Sequence, residues 1–121
     1  MYSARLLDHF QNPRNVGDIE NPDVAVRVEN PVCGDILTLC ARVDDGRITE
    51  IRYRTRGCTA SIAAGSALTE MLDGSAIDAL EAIDATAIES ALDGLPNESK
   101  HAARLAEDGV RALMAGLAAA G

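Results

Sequence analysis

Ile36-Leu37-Thr38-Leu39-Cys40-Ala41-Arg42-Val43-Asp44-Asp45-Gly46-Arg47-Ile48-Thr49-Glu50-Ile51-Arg52-Tyr53-Arg54-Thr55 places an apolar, alternating run on each side of Asp-Asp-Gly. Alternation with period two puts one side-chain set on each face of a strand, and Asp-Gly between two such runs is a hairpin turn. The stretch therefore predicts strands over 36–43 and 47–55, with Ile48, Ile51 and Tyr53 as apolar positions of the second. Upstream, Val24, Val26 and Val28 alternate with Ala25, Arg27 and Glu29, which adds a third antiparallel strand.

On either side of the strands the period changes to that of a helix. Residues 3–10 predict a short helix capped by Ser3, with Leu6, Leu7 and Phe10 as its apolar side, broken by Gln11-Asn12-Pro13-Arg14-Asn15-Val16-Gly17. After Gly57-Cys58, apolar residues recur at three and four (Ile62, Ala63, Ala67, Leu68, Met71, Leu72) up to the Asp73-Gly74 stop. Residues 75–82, capped by Ser75, and 84–92 predict two short helices. Beyond Gly94-Leu95-Pro96-Asn97, a long helix capped by Asn97 runs to about Ala119, burying Leu105, Ala106, Val110, Leu113 and Leu117. The expected fold is α+β: a three-stranded antiparallel sheet with helices packed on one face, in a single domain spanning residues 1–121.

Composition narrows the function. Hydrophobic residues make up 47% of the chain but aromatics only 2%, so the core is built from Ala, Leu, Ile and Val. A net charge of −8, from 19 acidic and 11 basic side chains, opposes nucleic acid and anionic membrane surfaces as partners. No apolar run approaches the roughly 20 residues that cross a bilayer, and the first ten residues carry Arg5, Asp8 and His9 where a secretory signal has its apolar core, so a cytoplasmic protein is expected. Three cysteines, an odd number, argue for free thiols or metal ligation over a disulfide framework.

Cys33-Gly34-Asp35 brings a thiol and a carboxylate to a turn before a strand. Alone, such a triplet is equally a buried thiol beside turn residues. Cys58 opens a helix, where free amides and the macrodipole favour an anionic ligand, and His101 lies in the first turns of another. If these element ends share one edge of the sheet, Cys33, Asp35, Cys58 and His101 supply two thiolates, a carboxylate and an imidazole, a set that zinc accepts. A Cys58–His101 nucleophilic pair is the other chemistry these residues allow. His9 reads as a surface or capping residue and Cys40 as a core residue, and both are left out of the site. No phosphate-loop, dinucleotide or H-E-x-x-H motif occurs, and Gly65 falls inside a predicted helix.

With these residues in view, the chain resembles the IscU/NifU-type iron–sulfur cluster scaffold family almost end to end. The resemblance is carried by Tyr2-Ser3, Asp8-His9, Asn12-Pro13-Arg14-Asn15-Val16-Gly17, Cys33-Gly34-Asp35, Gly57-Cys58 with Ser61, Ala67-Leu68-Thr69-Glu70, and His101 with Leu105-Ala106-Glu107-Asp108. It implies a non-enzymatic scaffold that receives sulfur from a cysteine desulfurase, assembles a labile [2Fe–2S] cluster and passes it to iron–sulfur acceptor proteins. By the same resemblance Cys33, Asp35, Cys58 and His101 hold the cluster, or a zinc ion in the resting state.

Two departures stand out. The family's third cysteine, which follows the histidine, is Ala102 here, and the chaperone-recognition motif Leu-Pro-Pro-Val-Lys reads Leu95-Pro96-Asn97-Glu98-Ser99, which makes an Hsp70-type chaperone a doubtful partner. Two thiolates in place of three shift the preference toward a single divalent metal. Two further readings are a zinc-bound sulfur acceptor or carrier for a desulfurase, and a degenerate, metal-free desulfurase-binding module.

Overall fold

The computed structural model describes residues 1–120. Its elements are α1 (Ala4–Gln11), β1 (Val24–Glu29), β2 (Ile36–Asp44), β3 (Arg47–Arg56), α2 (Thr59–Leu72), a 3-10 turn at Ile77–Ala82, α3 (Ala85–Ala91), a 3-10 turn at Asn97–Ser99, and α4 (Lys100–Ala120). The strands form one antiparallel sheet in the order β1-β2-β3. In the hairpin, Asp45 (φ 50°) and Gly46 (φ 75°) both take left-handed backbone, as the two-residue turn matched to strand twist requires. The ladder pairs Arg42 with Glu50 but Val43 with Ile48, so Thr49 is an extra residue. That bulge is why Ile48 and Ile51, three apart in sequence, both point inward.

Leu37, Leu39, Ala41, Ile48, Ile51 and Tyr53 are buried on the inner face. α2 packs over β3, α4 covers β1 and β2, and α1 lies against α2. Helix and sheet approach closely because glycines stand at the contacts. A methyl group at Gly65 would come within 2.4 Å of the Tyr53 ring, at Gly109 within 2.8 Å of Leu37, and at Gly116 within 2.7 Å of Val24. The Tyr53 hydroxyl donates to the Ile62 carbonyl at 2.8 Å, and burial pushes its pKa up to about 12.

Several local expectations change. Cys40 is not in the core: it sits on the outer face of β2, half-buried, opposite Ala25 and Arg52, because Leu39 and Ala41 take the inner positions. In α1 only Leu6 of the expected apolar trio is buried, with Leu7 and Phe10 exposed at its surface. Residues 77–82 form a 3-10 turn, not an α-helix, and Ser75 does not cap it; the Ser75 carbonyl instead accepts from the Ile48 amide. Asp84 caps α3 by accepting from the Ala87 amide. Asn97 opens a 3-10 turn, so α4 begins three residues later, at Lys100.

His9 is buried too, not at the surface. The Ser66 hydroxyl accepts from the Arg14 amide at 2.9 Å and lies 2.8 Å from His9 Nδ1, which also faces the obligatory donor Arg14 Nη1 at 3.3 Å, so Nδ1 is the accepting nitrogen. Nε2 then carries the ring proton and faces Glu70 at 3.7 Å. Burial, then Arg14, holds the His9 pKa below the ordinary histidine value, with Glu70 and Asp8 opposing and Arg5 adding slightly. The unfolded chain therefore binds the proton more readily than the folded one, so this contribution to stability is complete above about pH 6.5 and is lost as pH falls toward the folded pKa. Urea unfolding of wild type should lose stability between pH 7 and 5 more steeply than that of His9→Gln; parallel slopes would contradict a neutral buried His9.

Candidate metal centre

The register of the sheet builds this site. Ile36 pairs with Arg56 as the last rung between β2 and β3, so the residues just beyond it, Asp35 and Gly57, meet at the sheet edge. A methyl group at Gly57 would lie 2.7 Å from the Asp35 Cγ and 2.8 Å from its Oδ2. Gly57 does not have left-handed backbone, so glycine is needed here for space and not for conformation.

The loop between β1 and β2 is tied at both ends. Asn30 Oδ1 accepts from the amides of Val32 and Cys33, the Asn30 carbonyl accepts from Gly34, and the Asn30 amide donates to the Asp35 carbonyl. Gly34 takes φ 76°, which a side chain would resist. The result is an exposed Cys33 next to a buried Asp35, 8% exposed.

Cys58 is the exposed N-cap residue of α2 and makes no side-chain capping bond. His101 is the second residue of α4. Its Nε2 lies 3.5 Å from Asp35 Oδ2 and 3.7 Å from Cys58 Sγ. Ligand atoms of Cys33, Asp35 and His101 all fall within 4.8 Å of one another, and Cys58 joins this trio through His101. The neighbouring cations are engaged elsewhere, Lys100 with Glu89 at 3.1 Å and Arg104 with Glu107 at 3.8 Å.

These distances test the fit of a metal ion. With zinc–sulfur at about 2.3 Å and zinc–nitrogen or –oxygen at about 2.0–2.2 Å, a tetrahedron has an S···N edge of about 3.6 Å and an N···O edge of about 3.4 Å. The Cys58–His101 and His101–Asp35 separations, 3.7 and 3.5 Å, match both edges. The donor set, two soft sulfurs with one nitrogen and one oxygen, also suits a cluster held less firmly than by four thiolates.

Two residues of this neighbourhood were not visible in the spacing. Gly57 stood in the Gly57-Cys58 pair, but its contact with the Asp35 carboxylate leaves no trace in the sequence pattern. Ser61, buried in the first turn of α2, donates to Asp35 Oδ2 at 2.6 Å and sits 3.4 Å from Cys58 Sγ. Its place three residues after Cys58, on the same side of the helix, was the available clue. Ala102 is buried beside His101, and Cys40 and His9 lie in other surroundings.

Residues 1–118 match the family model of the NifU-like N-terminal domain. Two proteins of Archaeoglobus fulgidus named iron–sulfur cluster assembly scaffold protein IscU 1 and IscU 2 are each 48% identical over 111 residues, 92% of this chain and 72% of theirs. The Escherichia coli protein named iron–sulfur cluster assembly scaffold protein IscU is 41% identical over 118 residues, 94% of this chain and 91% of its own. Among solved structures, the N-terminal part of a NifU-like protein from Brucella abortus superposes with a TM-score of 0.70 at 18% identity, covering 96% of this chain and 91% of that one. At 21% identity, a scaffold protein for the SUF system from Fervidobacterium islandicum gives the same TM-score over 96% of each chain. These structural matches establish the fold.

Gly57→Ala should push the Asp35 carboxylate out of place without changing the backbone. Zinc affinity, measured by competition with a chromophoric chelator, should fall about 10–100-fold, the range seen when a ligand's supporting contacts are removed. Unchanged affinity would mean that Asp35 is not held by this contact.

Proposed function

Because the chain belongs to the family of NifU-like N-terminal domains, we propose that it is a one-domain iron–sulfur cluster assembly scaffold, residues 1–121, on which Cys33, Asp35, Cys58 and His101 hold a labile [2Fe–2S] cargo. The observation that carries this reading is the meeting of Cys33, Asp35 and His101 within 4.8 Å of one another, with Cys58 Sγ 3.7 Å from His101 Nε2. The cluster is cargo, received in parts and handed on. Sulfur comes from a cysteine desulfurase and the finished cluster goes to iron–sulfur acceptor proteins.

Each residue's role follows from its surroundings. Cys33 and Cys58 are exposed, so a donor's persulfide can reach either sulfur and an acceptor can approach the bound cargo. Asp35, buried behind them, is the hard oxygen donor and the ligand most readily exchanged. His101 Nε2 faces both Asp35 and Cys58, and so links the carboxylate to the second thiolate. With alanine at 102, no third thiolate comes from the start of α4, which favours handing cargo on over storing it.

A second reading rests on the tetrahedral edge lengths. The two separations through His101, to Cys58 and to Asp35, suit one ion, which supports a zinc-bound sulfur acceptor that takes persulfide from the desulfurase without building a cluster. Anaerobic reconstitution with ferrous iron and sulfide separates the two. The scaffold should develop visible sulfur-to-iron absorption that Cys33→Ala and Cys58→Ala each abolish. A colourless wild type that retains about one zinc per chain and accepts persulfide would overturn the scaffold reading in favour of the carrier.

A further inference from the structure

Ser61 has one hydroxyl proton and two acceptors within reach. Its hydroxyl is 2% exposed, so water does not compete for it. The 2.6 Å bond to Asp35 Oδ2 lies in the short range of hydroxyl-to-carboxylate bonds, whereas Cys58 Sγ waits at 3.4 Å. Asp35 is thus closed in by Gly57 behind it, Ser61 on Oδ2 and His101 at 3.5 Å from the same oxygen. The oxygen that faces the histidine, and so the metal, is the one that Ser61 occupies.

We propose that the Ser61 hydroxyl is the latch that keeps Asp35 an exchangeable ligand. Turned to Asp35, it holds Oδ2 by a charge-assisted hydrogen bond that draws off the electron density a metal would take from that oxygen. Turned to Cys58, it releases the carboxylate to the metal and donates to the coordinated thiolate, which has no proton of its own to give. The two arrangements differ by rotation of one buried hydroxyl, with no bond made or broken at carbon or sulfur. Ser61 is therefore a positioning residue: it acts on the cargo through Asp35 and Cys58. This inference rests on the metal site of the proposed function and assigns a cause to its lability.

Cobalt(II) is the probe, with the full chain and the variants Ser61→Ala, Ser61→Thr, Asp35→Asn and Ser61→Ala/Asp35→Asn. Removal of the hydroxyl frees Oδ2. Ser61→Ala should then release cobalt to EDTA about tenfold more slowly, the worth of one hydrogen bond to a charged group. Its d–d bands should weaken as Asp35 chelates through both oxygens and coordination rises from four to five, while the sulfur-to-cobalt band stays. Ser61→Thr should restore wild-type release and spectrum. With Asp35→Asn as background, removing the hydroxyl should no longer slow release, leaving only the loss of its bond to the Cys58 thiolate.

Faster or unchanged release from Ser61→Ala, or a slowing that persists without the Asp35 carboxylate, would overturn the latch. A wild type that shows no sulfur-to-cobalt band would overturn the metal site itself; a normal wild-type site with an indifferent Ser61→Ala sinks the latch alone. Alanine suits this stretch of α2, which already holds Ala60, Ala63 and Ala64. Ser61→Gly removes the same hydroxyl if the alanine variant does not fold, and the same outcomes decide.

Discussion

The Tyr53 ring lies so close to Gly65 that no side chain fits between them. The same condition recurs where Gly109 meets Leu37 and Gly116 meets Val24. An aromatic-poor core of small aliphatic residues fills its volume only if the helices come right down onto the sheet, and the glycines permit it. With α2 and α4 so placed, and with β2 and β3 in register at Ile36 and Arg56, the β1–β2 loop and the start of α2 share one edge, where the start of α4 brings His101. Packing that looks purely structural thus decides which side chains meet.

Much of this was legible in the sequence, for reasons that differ by element. The hairpin is written in period two around Asp45-Gly46, and the structure reproduces it because turn chemistry and burial agree. The bulge at Thr49 is audible only as a spacing of three between Ile48 and Ile51. Cys40 was misplaced although the same alternation assigns it outward, since cysteine's general preference for burial was set against its register. His9 failed for a deeper reason: its partner, Ser66, lies 57 residues away, and no local pattern announces a buried imidazole. The 3-10 turn at 77–82 reflects the backbone bond from Ile48 to Ser75, again a contact distant in sequence.

At the site, residue types and element ends were readable, whereas the second layer was not. Gly57 leaves space beside the Asp35 carboxylate, and the Ser61 hydroxyl lies between Asp35 and Cys58; both contacts exist only once strand register and helix placement are fixed. Alanine at 102 leaves oxygen and nitrogen as half of the donor set. On the proposed scaffold, soft iron–sulfur cargo would bind such a set less firmly than three or four thiolates, through ligand chemistry as well as through the exposure of both sulfurs.

Anaerobic purification of the protein from its own cells, followed by iron, zinc and acid-labile sulfide analysis, addresses the scaffold reading most directly. The account predicts iron and sulfide in equal amounts, both lost together on exposure to air or chelator. Zinc without sulfide, or neither metal nor sulfide, would contradict it.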